Sequence, residues 1–257
     1  MSYFKKLWSE LLNLVFPPLQ CCPFCGIASE NGEICSFCRQ EIVDFQQQPH
    51  CNRCGRRRTS KKLSFSSGKV LNTLDKLFSC ADCLNQEKTF KMARAIGTYE
   101  GGLKEAIHKF KFKRQRYLAQ LLGPLLVNVF WTCPAYQKVQ VVVPVPLTLR
   151  RLRERGFNQA ELLAREVARA LNLPLFLTLV KARETTPQTG LKREQRMDNL
   201  KGAFKVERPF LVANKTVLLI DDVFTTGATI EECSRTLTSA GAKEVYVLTV
   251  ATGNSYG

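Results

Sequence analysis

KTVLLIDDVFTTGAT, residues 215–229, begins as an apolar run, meets two acids and leaves through a turn of small residues. The run Val217-Leu218-Leu219-Ile220 carries no polar side chain, as a strand covered on both faces of a parallel sheet requires. Ligands of such sheets collect at the carboxyl ends of the strands, where Asp221 and Asp222 stand. Thr225, Thr226, Gly227, Ala228 and Thr229 then offer consecutive backbone N–H groups, hydroxyls and a glycine open to close approach. All lie at the positive end of a helix expected to begin near Ala228, so a phosphate monoester suits the turn. Carboxylates facing that phosphate would repel it, so the pair is expected to meet neutral hydroxyls or Mg²⁺.

The surrounding sequence repeats the strand–helix alternation. VQVVVPVP (139–146) and EVYVLTVA (244–251) are compact, β-branched runs, whereas EAIHKFKF (105–112), ELLAREVARAL (161–171) and TIEECSRTLTSAG (229–241) have helical spacing. Such alternation predicts βαβ units: an α/β fold with a mostly parallel sheet and helices on both faces. After VQVVVPVP come Arg150, Arg151, Arg153 and Arg155, whose guanidiniums either grip a diphosphate bidentately or solvate the start of the next helix.

The first part of the chain reads differently. Eight of the eleven cysteines form four Cys-x-x-Cys pairs, Cys22/Cys25, Cys35/Cys38, Cys51/Cys54 and Cys80/Cys83. Between them lie turn-rich and polar stretches, SFSSGK among them, with little apolar periodicity, so this region needs metal to fold. Four pairs suit two Zn²⁺ ions in Cys₄ sites, paired sequentially or crossed, with Cys21 a rival to Cys22. A thioredoxin-like redox role is disfavoured because no pair opens a helix after a strand. Cys133 and Cys233 read as core residues. Two domains are expected: residues 1–90, with an amphipathic helix over 4–16 ended by Pro17-Pro18 and then the zinc ribbons, and residues 91–257, the α/β unit.

The acid pair and its turn resemble the 5-phosphoribosyl-1-pyrophosphate (PRPP) motif of type I phosphoribosyltransferases. That resemblance makes Asp221 and Asp222 the catalytic pair on the ribose hydroxyls, gives Thr225–Thr229 the 5′-phosphate, and brings Mg²⁺ with PRPP. Further motifs are Pro144-Val145-Pro146, Arg155-Gly156-Phe157-Asn158-Gln159-Ala160, Gln188-Thr189-Gly190-Leu191, and Arg196 with Asn199. Together with the cysteine pairs they resemble the ComF competence-protein family, a phosphoribosyltransferase-like domain behind a double zinc ribbon. The resemblance implies a role in DNA uptake during natural transformation, with PRPP, single-stranded DNA and other DNA-uptake proteins as partners.

Charge agrees with a phosphate-bearing partner without choosing among them. The net charge is +16, from 12 Lys+Arg against 8 Asp+Glu in residues 1–90 and 26 against 14 in residues 91–257. Phe110, Phe112 and Tyr117, interleaved with Lys109, Lys111, Lys113, Arg114 and Arg116, supply base stacking beside phosphate contacts, or else the aromatics are core. Composition is that of a globular protein, no stretch reaches the roughly 18 apolar residues of a membrane span, and no signal-peptide order opens the sequence. A cytoplasmic location is expected; the 4–16 helix, docked on its own domain or lying on a bilayer, leaves a peripheral place at the inner membrane face open. The basic loop 183–193, where such enzymes select an acceptor, lacks an aromatic for stacking a purine. Two functions stay open: phosphoribosyl transfer to an unknown small acceptor, or a DNA-handling protein that binds PRPP without chemistry.

Overall fold

A computed structural model describes residues 21–29, 32–58, 78–183 and 199–253. The helix expected over 4–16, the SFSSGK stretch, residues 184–193 of the basic loop with Gln188-Thr189-Gly190-Leu191, and Arg196 lie outside the described residues. In chain order the cysteine-rich part contributes α1 (Ser36–Gln47) and α2 (Ala81–Asn85). Next come β1 (Met92–Thr98), α3 (Gly101–Phe112), α4 (Leu118–Trp131), β2 (Val141–Pro144), α5 (Leu149–Arg155) and α6 (Gln159–Leu171). An antiparallel pair, β3 (Leu179–Lys181) and β4 (Phe204–Val206), precedes β5 (Thr216–Phe224), α7 (Ala228–Ser239) and β6 (Glu244–Thr252).

The four long strands form a parallel sheet in the order β1-β6-β5-β2, with β5 and β6 in register from Thr216↔Glu244 to Phe224↔Thr252. Strand periodicity sends alternate residues of β5 to opposite faces. Leu218 and Ile220 pack with residues of α3, α4 and α6, whereas Val217 and Leu219 pack with residues of α7. The helices that follow β2 and β5 therefore leave on opposite faces, the arrangement that in open α/β sheets makes the carboxyl ends of those two strands the expected crevice. This is the expected α/β architecture.

Three local features depart from the sequence pattern. β5 does not end at the acids but continues through Val223 and Phe224, so both carboxylates belong to the last turns of the pleat. β1 (MARAIGT) mixes Ala93, Ala95 and Gly97 with only two β-branched residues, Ile96 and Thr98, so its strand signal is diluted; at Gly97 a Cβ would lie 2.4 Å from Leu103 Cδ1, and the leucine would have to move. α4 holds Pro124 in its interior and is apolar nearly all round, so neither amphipathic periodicity nor a clean stop marks it.

The cysteine-rich part covers the exposed edge of the sheet. Ala93 N–H of β1 donates to Arg53 O at 2.7 Å, and Gln46 Nε2 donates to Ala95 O and Ile96 O at 3.0 and 2.8 Å. Backbone groups of an edge strand are thereby satisfied by side chains and loops rather than left open for another chain. Cys22, Phe24 and Cys38 join the apolar layer on one face of the sheet, and Cys51, Cys54 and Phe90 join the layer on the other.

Candidate functional site

Asp221 and Asp222 sit side by side on β5, so the pleat turns them to opposite faces of the sheet. Asp222 faces α3, whose last turn brings Lys111 Nζ to 2.7 Å from Asp222 Oδ1. Asp221 is half-buried, and its Oδ1 accepts the N–H of Asp222 at 2.8 Å. Burial first, and then the neighbouring Asp222 charge, raise the Asp221 carboxyl from its ordinary value to about 7; Lys111 and Arg155 act in the opposite direction.

The loop after β2 closes one side of this crevice. Val145 N–H donates to Ile220 O at 2.9 Å, immediately before the acids, and Asn158 Nδ2 donates to Val145 O at 3.0 Å. α5 follows, capped by Thr148 Oγ1 on Arg151 N–H and ended by Gly156 at φ 78. That left-handed residue returns the chain toward the crevice, where Arg155 is half-buried and donates to Gln159 Oε1 at 2.8 Å. Burial lowers the Arg155 pKa; Asp222 opposes that shift, and the charge of Arg151 adds to it. Arg155 thus shares the electrostatic environment of both acids, with Arg151 beside it.

The turn after β5 is as compact as its composition promised. Gly227 lies at φ 83 as the residue capping α7, and a Cβ there would stand 2.7 Å from Phe224 Cζ. Among the described residues no acceptor takes the N–H of Thr226 or Gly227. Ala228 N–H reaches only Thr226 Oγ1, at 3.4 Å. Amides that lack an acceptor among the described residues, beside the positive end of a helix, are groups suited to meet an anion.

The stretch 109–117 divides between core and surface. Phe110 is fully buried, whereas Phe112 is 63% exposed and Tyr117 38%. Phe112 lies between His108, 4.9 Å away between ring centres, and the Arg155 guanidinium, 5.4 Å from its ring centre. Arg116 donates to Gly156 O at 2.7 Å and lies over Phe157, and Arg114 Nη2 donates to Glu154 O at 3.4 Å. The sequence pointed to Lys111 as one more surface cation of this stretch. It is instead largely buried on the acid pair, a placement that only the register of α3 against β5 reveals.

The cysteines assemble sequentially. Cys22, Cys25, Cys35 and Cys38 form one cluster and Cys51, Cys54, Cys80 and Cys83 another, with ligand atoms within 4.8 Å of one another in each. Sγ separations of 3.9 Å (Cys22–Cys38), 3.6 Å (Cys25–Cys35) and 3.6 Å (Cys54–Cys80) are far beyond a disulfide. They match the edge of about 3.8 Å of a tetrahedron with 2.3 Å metal–sulfur bonds. Cys35 N–H points to Cys22 Sγ at 3.4 Å and Cys80 N–H to Cys51 Sγ at 3.2 Å, the support that thiolates need. Burial would raise the Cys22 thiol, yet the backbone N–H groups of Cys35, Cys25 and Phe24 bring it down to about 6. Both tetrads fit structural zinc. Cys21 is exposed and outside the first cluster, Cys233 is buried, and Cys133 packs half-buried against the core.

Comparison with known proteins agrees with this division. The phosphoribosyl transferase domain family matches residues 158–257, and the double zinc ribbon domain family matches residues 11–84. Competence protein F of Haemophilus influenzae is 32% identical over 85% of this chain and 90% of its own length. The DNA utilization protein YhgH of Escherichia coli K12 is 32% identical over 83% of this chain and 94% of its own. A solved glutamine PRPP amidotransferase from B. subtilis covers 55% of this chain and 30% of its own at 19% identity, with a TM-score of 0.39, too slight a likeness to bear on the fold. By the competence relative's identity and coverage and by the two domain families matched, the chain belongs to the ComF family of competence-associated, phosphoribosyltransferase-like proteins with an N-terminal double zinc ribbon.

Proposed function

We propose that this protein binds PRPP with Mg²⁺ at the carboxyl ends of β2 and β5 and handles single-stranded DNA in the cytoplasm in the course of DNA uptake. One observation carries the ligand assignment: the Thr226 and Gly227 amides, without acceptors among the described residues, lie in the turn that follows the acid pair of β5, with Lys111 and Arg155 at the acids. In this reading Thr225, Thr226, Gly227, Ala228 and Thr229 hold the 5′-phosphate, Asp221 and Asp222 take the ribose hydroxyls, and Arg151 and Arg155 meet the diphosphate. Mg²⁺ brought with PRPP would help Arg151 and Arg155 neutralise the charge of the diphosphate. The cysteine module of residues 1–90 serves the phosphoribosyltransferase-like unit of residues 91–257 as a metal-dependent brace. A thiolate–zinc module suits a reducing compartment, and among the described residues no helix is long and apolar enough to cross a membrane.

DNA handling is supported by the competence and DNA-utilization names of the relatives and by exposed Phe112 and Tyr117 beside Lys113, Arg114 and Arg116. The second reading, phosphoribosyl transfer to a small acceptor, is favoured by the acid pair, Asp221 half-buried and Asp222 buried, an environment able to hold a sugar for displacement at its anomeric carbon. Pyrophosphate release from PRPP, screened over nucleobases, ammonia and single-stranded DNA, separates the two. Release that depends on a small acceptor establishes transfer. Binding of PRPP and of single-stranded DNA without release establishes the DNA-handling reading, and failure to bind PRPP removes both.

A further inference from the structure

A guanidinium in a protein interior is costly unless its donors are used, so a fully buried arginine marks a place where the fold needs its reach. Arg56 is only 2% exposed. It directly follows the Cys51–Cys54 knuckle and Gly55, whose Cβ would lie 2.4 Å from Ala93 O, so the knuckle is pressed onto β1. The Arg56 fork is divided. Nη1 donates at 2.7 Å to Asp82 Oδ2, between Cys80 and Cys83, and so ties the two halves of the second tetrad together. Nη2 donates at 2.6 Å to the carbonyl of Thr225, 169 residues away, while the guanidinium carbon stands 5.2 Å from the centre of the Phe224 ring.

We infer that Arg56 is a positioning residue for the amides of the turn after β5, through which the second zinc site and the occupancy of the turn are energetically linked. In a planar trans peptide C=O and the following N–H point in opposite directions. Arg56 pins the Thr225 carbonyl on the zinc-ribbon side, so the N–H of Thr226 is held facing away from the ribbon. The preceding peptide is fixed as well: Gly253 N–H donates to Phe224 O at 2.8 Å. The floor is shared too, since Phe224, on which Gly227 rests, meets Phe90 edge-on at 5.9 Å, and Thr89 donates to Glu231 of α7 from both its N–H and its hydroxyl. An amide aimed in advance costs nothing to orient when an anion arrives, which is where a preorganised site gains affinity. Coupling of this kind is reciprocal: whatever the ordered ribbon gives the turn, an occupied turn returns to the ribbon.

The inference rests on the reading of the turn as the phosphate site of PRPP, and the test keeps the two apart. Arg56→Lys retains a cation for Asp82 but lacks the fork that reaches both partners. It is expected to stay folded and keep two zinc ions, melting somewhat below wild type without ligand, while losing tenfold or more in affinity for Mg²⁺·PRPP. Independently, alkylation of the wild-type chain followed by peptide mass spectrometry should show Cys51, Cys54, Cys80 and Cys83 reacting several-fold more slowly with saturating Mg²⁺·PRPP. Wild-type binding with an Arg56→Lys variant of equal affinity, or with second-tetrad cysteines that react equally fast with and without PRPP, overturns the inference alone. If Arg56→Lys loses zinc, the alkylation experiment on the wild-type chain decides. Absence of PRPP binding to the wild-type chain removes the underlying reading and the inference with it.

Discussion

Lys111 Nζ stands 2.7 Å from Asp222 Oδ1, with both side chains largely withdrawn from solvent. The pair joins the last turn of α3 to β5 and places a positive charge next to two carboxylates that would otherwise repel each other. Lys111 also lowers the Asp221 pKa. Replacing it with glutamine should therefore raise the pH at which Asp221 ionises, and the midpoint of a pH profile of Mg²⁺·PRPP binding should move upward relative to wild type. Asp222→Asn leaves the ammonium without its partner and should cost about 1–3 kcal/mol in denaturant unfolding. An unmoved midpoint in Lys111→Gln would mean that the lysine does not act on the pair.

Asp221 makes a prediction of its own for stability. Its carboxyl titrates near 7 in the folded chain against 3.8 ordinarily, so between about pH 4 and 7 the folded state binds more protons than the unfolded one. Stability contributed at this position must then fall as pH rises through that window. Asp221→Asn should flatten the decline, giving a variant that gains on wild type as pH rises from 4 to 8. Thermal melts of the two proteins across that range check it, and parallel curves would contradict it.

Zinc should be present at close to two ions per chain by elemental analysis. The cysteine-rich part also supplies partners for Ala93, Ala95 and Ile96 on β1. Chelation should therefore melt residues 21–58 and speed hydrogen exchange along β1, while β5 and β6 at the centre stay protected. Uniform exchange before and after chelation would mean that the module does not cover the edge.

For single-stranded DNA the structure separates charge from stacking. Replacing Lys113, Arg114 and Arg116 together should flatten the salt dependence of binding, whose logarithmic slope changes by about 0.7 per lost phosphate contact. Lys111 is left out because it belongs to the acid pair. Phe112, 63% exposed, should be replaceable by alanine without loss of folding. That change should weaken binding by about 1–3 kcal/mol with the slope unchanged. Binding that is absent at low salt would remove direct DNA contact.

Much of the site was legible because its signals are local. β5, the turn and α7 are contiguous, so apolar run, acids, glycine and helix start could be read in one line, and four regular cysteine spacings announced two tetrads. Tertiary register was not legible. Nothing in residues 105–112 distinguishes Lys111, which turns inward to Asp222, from Lys109, whose ammonium reaches the carbonyls of Pro23 and Phe24 at 3.1 and 2.8 Å. Arg56 looked like one of several arginines in a polar stretch, because its partners lie 26 and 169 residues away. β1 escaped notice since glycine and alanine carry little strand signal, and what holds it is the neighbouring β6.

The central claim is that the turn at Gly227 holds the phosphate end of PRPP. Calorimetric titration of Mg²⁺·PRPP into wild type and Gly227→Val tests it most directly, because the valine would meet the Phe224 ring and cannot easily adopt φ 83. Wild type should bind at one site per chain, with a rise in melting temperature reflecting about 2.7 kcal/mol at a ligand concentration one hundred times the dissociation constant. Gly227→Val should remain folded, with its zinc retained, and show neither heat nor shift. Undiminished binding by folded Gly227→Val, or no binding by wild type, would contradict the account.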